Sequence, residues 1–388
     1  MSNTKSIEIG GKKLTLETGK LAKQANGAVL ISYDDNFVLC TVTASEEAKP
    51  GQDFFPLTVD YREKTASVGK IPGGFFKREA RPTEKEILSS RLIDRPIRPM
   101  FPEGFFNEVQ LLCSVYSSDR ENDSDIIAAI GASAALLISD IPFDEPISEV
   151  RVTRLNGELL LNPSYEQTVK GDFDITVAGT SDSIMMVEGE AKEISEEEFL
   201  EAIKFAHKNI ADLCNFQKEF AKEAGKQKRD YAASDDISEM EKDVMGVCEA
   251  DLKTVTGTVL SKEERKLKNR EIHDKVMTAL SEKYPEQEKL LSKIIHDIQY
   301  DVLRDMVLNE GKRLDGRGMK DIRQISSEVG LLPRTHGSAL FTRGQTQSLT
   351  TVTLGTKRDE QMIEGLKELS TKRFILHYNF PPFSTGEV

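Results

Sequence analysis

Slid along itself by 310 residues, the sequence falls into gapless register with a second stretch, and no other feature limits the fold as much. Leu21 meets Leu331, Gly27 meets Gly337, Leu30 meets Leu340 and Leu39 meets Leu349, and the run Thr41-Val42-Thr43 meets Thr351-Val352-Thr353. Conservative pairs fill the gaps: Ala28 with Ser338, Ile31 with Phe341 and Ser32 with Thr342. Agreement over 23 positions in both hydrophobic pattern and turn placement is hard to obtain from unrelated hairpins, so the chain holds two copies of one module. The first copy continues for well over a hundred residues beyond its hairpin, the second for about 35, from Thr353 to Val388. The chain is therefore expected to stop inside its last module, as a truncated product.

Between the copies the pattern changes twice. Residues 7–116 are mostly strand-like. Ile7 and Ile9, then Leu14 and Leu16, alternate with polar residues about Gly10-Gly11, and Val29–Tyr33 and Phe37–Ala44 flank an Asp34-Asp35-Asn36 turn. Val109–Tyr116 reads as a further strand, and the Ala-rich stretch from Asp125 to Ser139 as a buried helix in which Gly131 permits a close neighbour. A smaller unit follows, with strands at 150–155, 159–161, 173–177 and 184–187 and a helix opened by a Ser195/Glu198 capping box. The polar run 222–236 reads as a linker. Residues 237–309 read as all-helical, with Ile295, Ile298, Val302 and Met306 at helical spacing. The expected domains are 1–145 (main part of a first core), 146–221 (its C-terminal subdomain), 222–236 (linker), 237–309 (helical) and 311–388 (start of a second core).

Charge narrows the function. The 388 residues carry 65 acidic against 52 basic side chains, a net charge of −13, so the whole-chain field repels polyanions and a nucleic-acid site must be a local patch. Cys40, Cys113, Cys214 and Cys248 lack paired spacing, which argues against a disulfide framework or structural zinc. No secretory signal or bilayer-length apolar run is evident, and a cytoplasmic protein away from membranes is expected. Nucleotide-binding loops, a Gly-x-Ser-x-Gly elbow and ligand-like spacing of the five histidines are all missing.

The local patch lies at 62–98, where ten Lys or Arg face five acids, a net +5. Gly69-Lys70-Ile71-Pro72-Gly73-Gly74 is too rich in Gly and Pro for a regular element, so Phe75-Phe76-Lys77-Arg78 is presented on a loop. Adjacent rings can stack on bases of any sequence while the cations hold phosphates, which suits a single-stranded polynucleotide. The other reading is that the rings are core and the cations merely solvated. Thr83 and Glu86 then form a capping box that opens a helix, on which Arg91 and Arg95 share a face, with Arg98 a turn further if the helix survives Pro96. These arginines suit phosphate oxygens, or else Arg91 or Arg95 pairs with the nearby Asp94 or Glu84.

The string FFKREARPTEKEILSSRLIDRPIRPMFPEGFFNEVQ, residues 75–110, closely resembles the bacterial polynucleotide phosphorylase family, as do Arg313-Leu314-Asp315-Gly316-Arg317 at the start of the second copy and HYNFPPFSTGEV at 377–388. The two-copy layout with a helical insert matches as well, so the resemblance spans essentially the whole chain. It implies an α+β protein: two ribonuclease PH-like α/β modules, the second incomplete, separated by an all-helical domain. It also implies a homotrimeric ring around a channel for single-stranded RNA, possible membership of an RNA-degradation complex, and phosphorolytic 3′-to-5′ degradation. There inorganic phosphate releases nucleoside diphosphates, reversibly, with Mg2+. By resemblance Phe75, Phe76, Lys77 and Arg78 correspond to a loop that grips RNA, and Arg91, Arg95 and Arg98 to arginines lining the approach to the phosphorolytic site. Lysine stands at 77 where the family often has arginine. The family's catalytic and metal-binding residues are expected beyond Val388, so no catalytic or metal residue is assigned here and the 388 residues are expected to be inactive alone. The alternative from another class is a noncatalytic RNA-threading ring scaffold of the same fold.

Overall fold

The computed structural model describes residues 2–49, 52, 54–73, 75–79, 81–231, 237–367 and 369–388. Two compact units emerge, Met1–Ala233 with Glu360–Val388, and Ser234–Asp359.

The first unit begins with β1 (Asn3–Ile9), β2 (Lys12–Thr18), β3 (Gly27–Tyr33), β4 (Asn36–Ala44) and β5 (Leu57–Glu63), followed by α1 (Glu84–Ile97), β6 (Val109–Ser117) and α2 (Ser124–Ile138). The sheet runs β1-β2-β3-β4-β6-β5, antiparallel except for the parallel β5–β6 pair at one edge. Alternation in β3 buries Val29, Ile31 and Tyr33 against α2, every residue of which is buried. Close approach depends on glycine. A Cβ on Gly131 of α2 would lie 2.7 Å from both Cys40 Sγ and Ile31 Cγ2, and one on Gly27 of β3 would lie 2.1 Å from the Ala135 carbonyl oxygen. Cys40 and Cys113 face each other across β4 and β6 as free thiols, and all four cysteines are free and buried.

A second sheet, ordered β10-β9-β7-β8, comprises β7 (Ser148–Leu155), β8 (Glu158–Leu161), β9 (Phe173–Gly179) and β10 (Ile184–Ala191), with α3 (Tyr165–Lys170) between β8 and β9. The long α4 (Glu196–Ala224) starts at the Ser195/Glu198 capping box and packs on this sheet. It runs through Ala224, so residues 222–224, read from sequence as the start of a linker, are helical. Residues beyond α4 are also fastened. Lys228 Nζ donates to the carbonyls of Leu136, Leu137 and Ser139 at 3.0 Å each, and Arg229 pairs with Asp140 at 2.7 Å. Buried carbonyls at the end of α2 lack intrahelical donors, and these side chains supply them. Residues 232–236 of the expected linker lie outside the described residues.

In the second unit, α5 (Ser238–Gly257), α6 (Lys262–Leu280) and α7 (Glu288–Asp305) enclose their own core, including Val244, Cys248, Val276, Leu291, Ile295 and Ile298. A three-stranded sheet follows, made of β11 (Ile325–Val329), β12 (Gly337–Arg343) and β13 (Thr346–Val352). Its hairpin pairs Gly337 with Val352 and Arg343 with Thr346, as β3 and β4 pair Gly27 with Val42 and Tyr33 with Asn36. The repeat read from sequence is thus a repeat of strand starts and pairing register, β4 running two residues further than β13. Burial differs: β4 alternates buried with partly or fully exposed positions, whereas β13 is exposed at every position. The chain then returns to the first unit with β14 (Gln361–Ile363) and β15 (Ser370–Lys372). No helix among the described residues is long and apolar enough to cross a membrane.

Candidate nucleic-acid interface

The interface is built along β5, the edge strand of the large sheet, whose outward N–H groups would otherwise lack partners. Side chains of α1 take them: Tyr61 N donates to Ser90 Oγ at 2.9 Å, and Glu63 N to Glu86 Oε1 at 2.8 Å. The same Glu86 completes the capping box, accepting from Thr83 N at 2.6 Å while its own N–H donates to Thr83 Oγ1 at 3.2 Å. One carboxylate therefore starts the helix and sews it to the sheet.

Between β5 and α1 lies the aromatic loop. Phe75 and Phe76 are 93% and 75% exposed, which settles the choice between core and surface left open by the sequence. Their rings stand 5.4 Å apart, edge to face, and the Arg78 guanidinium lies 5.3 Å from the Phe76 ring centroid. Lys77 sits in the left-handed region at φ 49°, and both it and Arg78 are exposed. The loop is anchored where it returns: Glu79 accepts from Lys64 Nζ and Thr65 N at 2.8 Å each. Burial pushes the Glu79 carboxyl up, but these donors outweigh it and hold the group below the usual range.

The arginines of α1 divide. Arg91 is exposed, with no ion pair among the described residues. Arg95 pairs with Glu188 of β10. Arg98 grips Asp94 at 2.6 and 3.1 Å and also donates to the carbonyls of Leu57 and Phe55 at 3.0 and 3.4 Å. The helix does survive Pro96 and ends at Ile97, with Arg98 as its cap. What spacing suggested as a stripe of three guanidiniums is therefore, among the described residues, one free arginine and two engaged ones, because acidic partners lie within reach. Arg81, counted in the basic window but not singled out, is also exposed.

Beneath α1 the unit gathers an ionic cluster with no local sequence signature. Lys85 pairs with Glu63 at 2.6 Å and Asp123 at 2.9 Å, and Arg151 with Asp125, Asp123 and Asp174 at 3.2, 3.6 and 3.7 Å. Burial would raise the Asp123 carboxyl, but Lys85 and then Arg151 overcome it and hold it at about 2. Lys367 Nζ lies 3.1 Å from the Tyr165 ring centroid at the margin of this cluster. The carboxylates are taken up by cations of the chain itself, so they do not fit a divalent metal ion.

Family comparisons agree with this layout. The model described as 3′ exoribonuclease family, domain 1, matches residues 10–142 and 321–388, more than half of the chain and the two regions related by the 310-residue offset. Domain 2 of that family matches residues 145–209, and the model described as polyribonucleotide nucleotidyltransferase, RNA binding domain, matches 239–318. Polyribonucleotide nucleotidyltransferase of Chlorobaculum parvum is 50% identical over 99% of this chain and 55% of its own length. That of Geotalea daltonii is 50% identical over 100% of this chain and 56% of its own. The chain thus spans about half the length of the curated relatives it matches. Among solved structures, rice (Oryza sativa) Rrp46 aligns with 54% of this chain and 94% of its own at 13% identity and TM-score 0.45. With a repeated exoribonuclease domain on either side of a helical insert, the chain belongs to the 3′ exoribonuclease family, in the domain order of the polyribonucleotide nucleotidyltransferases.

Proposed function

We propose that this chain supplies the RNA-gripping part of a phosphorolytic 3′-to-5′ exoribonuclease acting in RNA decay in the cytoplasm. In that reaction an oxygen of inorganic phosphate attacks the 3′-terminal phosphodiester. The bond to the penultimate 3′ oxygen breaks, a nucleoside diphosphate leaves, and the shortened RNA keeps a 3′ hydroxyl; run backwards, the reaction extends the chain. Phosphate is already a nucleophile, so positioning and charge neutralisation supply most of the catalysis. Magnesium, a homotrimeric ring and a place in an RNA-degradation complex belong to the same proposal through the relatives, and no metal ligand is assigned among the described residues.

The observation that carries the reading is the exposed pair Phe75 and Phe76 beside Lys77 and Arg78 on an anchored loop. Solvent-facing rings are costly to display, and stacking on unpaired bases recovers about 1–3 kcal/mol per base. Arg91 extends the cationic surface along α1. Arg95 and Arg98 act in this reading through Glu188 and Asp94, holding α1 in place.

Binding of a labelled oligoadenylate across a potassium chloride series tests the reading. Lys77→Ala with Arg78→Ala is expected to weaken binding and to lower the salt slope, by about 0.7 for each phosphate of the single strand that is no longer neutralised. Phe75→Ala with Phe76→Ala is expected to weaken binding at every salt concentration with the slope kept. An unchanged slope in the first variant, or unchanged affinity in the second, removes the loop from the RNA path.

A further inference from the structure

Both feet of the aromatic loop are held by charged side chains, and the leading foot is held in an unusual way. Lys70 Nζ donates to the carbonyls of Gly365, Leu366 and Lys367 at 3.1, 3.4 and 2.6 Å. An ammonium has three N–H donors, so this arrangement uses all of them and leaves none for a phosphate. The carbonyls come from a segment that is itself fixed. Leu366 is buried in the first-unit core, Lys367 rests on Tyr165, and Lys372 pairs with Glu84 at 2.8 Å. Gly73 lies so close to Glu364 that a Cβ there would be 2.0 Å from Oε2.

We propose that Lys70 is a positioning residue for RNA binding, fastening the aromatic loop of the first copy to residues 364–367 of the second. This rests on the RNA reading of the loop. The eight residues 71–78 include Gly and Pro and expose two rings, so they have many conformations to lose unless both ends are tied. Glu79 ties the returning end within the first copy, through Lys64 and Thr65. Lys70 ties the leading end to chain that lies 295 to 297 residues away. The polypeptide that sets the RNA grip of one copy is thus contributed by the other.

The oligoadenylate titration of the 388-residue chain separates positioning from direct contact. Lys70→Met is expected to weaken binding about three- to tenfold, the range for side chains that must now be ordered on binding rather than beforehand. The salt slope should stay at the wild-type value, and Lys70→Arg, which keeps donors for the three carbonyls, should recover most of the affinity. Amide hydrogen exchange at Ile71, Gly73 and residues 75–79 should quicken in Lys70→Met while β3 and β4 stay protected. Wild-type affinity in Lys70→Met overturns the proposal. So does a slope lowered by about 0.7, which would make Lys70 a phosphate ligand, and so does reduced protection in β3 and β4, which would make it a residue of the fold. If instead the Phe75/Phe76 and Lys77/Arg78 variants bind like wild type, the RNA reading fails, and the exchange measurement still decides whether Lys70 holds the loop.

Discussion

Glu149, on β7, is fully buried, and neither carboxylate oxygen has a hydrogen-bond partner among the described residues. Burial pushes its carboxyl well above the usual range, Asp125 adds to the push and Arg151 opposes it. The folded chain therefore keeps a proton that the unfolded chain releases near the ordinary glutamate value of about 4.3. Above that pH the unfolded state binds fewer protons, and stability falls by about 1.4 kcal/mol per pH unit until the folded group also ionises. Glu149→Gln cannot ionise. It should match wild type in urea midpoint at pH 4 and exceed it at pH 8, with the gap widening between; equal midpoints throughout would mean that Glu149 is charged in the fold and partnered. Nothing local in the sequence marks this residue, since its neighbours come from α2, β7 and β10. The same limit applied to the arginines. Asp94 was visible as a rival partner for Arg91 or Arg95 but pairs instead with Arg98 one turn on, whereas Glu188 is 93 residues from Arg95 and became a neighbour only through folding.

Elements were more legible than long-range pairings, because periodicity and turn chemistry are local. The hairpin pairs, the buried helix with Gly131, and the capping boxes at Thr83/Glu86 and Ser195/Glu198 follow from spacing alone. The end of α4 did not, since a lysine-rich amphipathic helix end looks like linker until Lys228 is seen capping α2. The repeated hairpin offers a controlled comparison. Gly27 and Gly337 hold the same register position, yet a Cβ on Gly27 would strike the Ala135 carbonyl at 2.1 Å, while one on Gly337 would meet nothing closer than Val352 Cβ at 3.6 Å. A backbone carbonyl in a buried helix cannot swing aside, so Gly27→Ala should cost about 1–3 kcal/mol or more by overpacking. Gly337→Ala should change stability by no more than about 0.5 kcal/mol. Thermal unfolding of the two variants checks this, and similar losses at both sites would mean that β12 packs as tightly as β3.

Across the whole molecule, charge separates gripping from turnover. On the proposed RNA reading, a chain of net charge −13 would confine RNA to the 62–98 patch and make binding local and salt-sensitive. The cations inside the first unit are not free to take a second anion. Lys85 and Arg151 are shared among Glu63, Asp123, Asp125 and Asp174, and a phosphate entering there would meet carboxylates first. Breaking such pairs to admit phosphate leaves buried charge uncompensated, at about 3–5 kcal/mol. The 388 residues are therefore expected to bind single-stranded RNA without releasing nucleoside diphosphates from poly(A) in phosphate and magnesium. A protein of the relatives' full length should do both if the family's phosphorolysis is its function, and only the former if the noncatalytic scaffold reading is right. Chromatography of the products distinguishes these outcomes, and diphosphate release by the 388 residues alone would show that the first-unit cluster opens to phosphate after all.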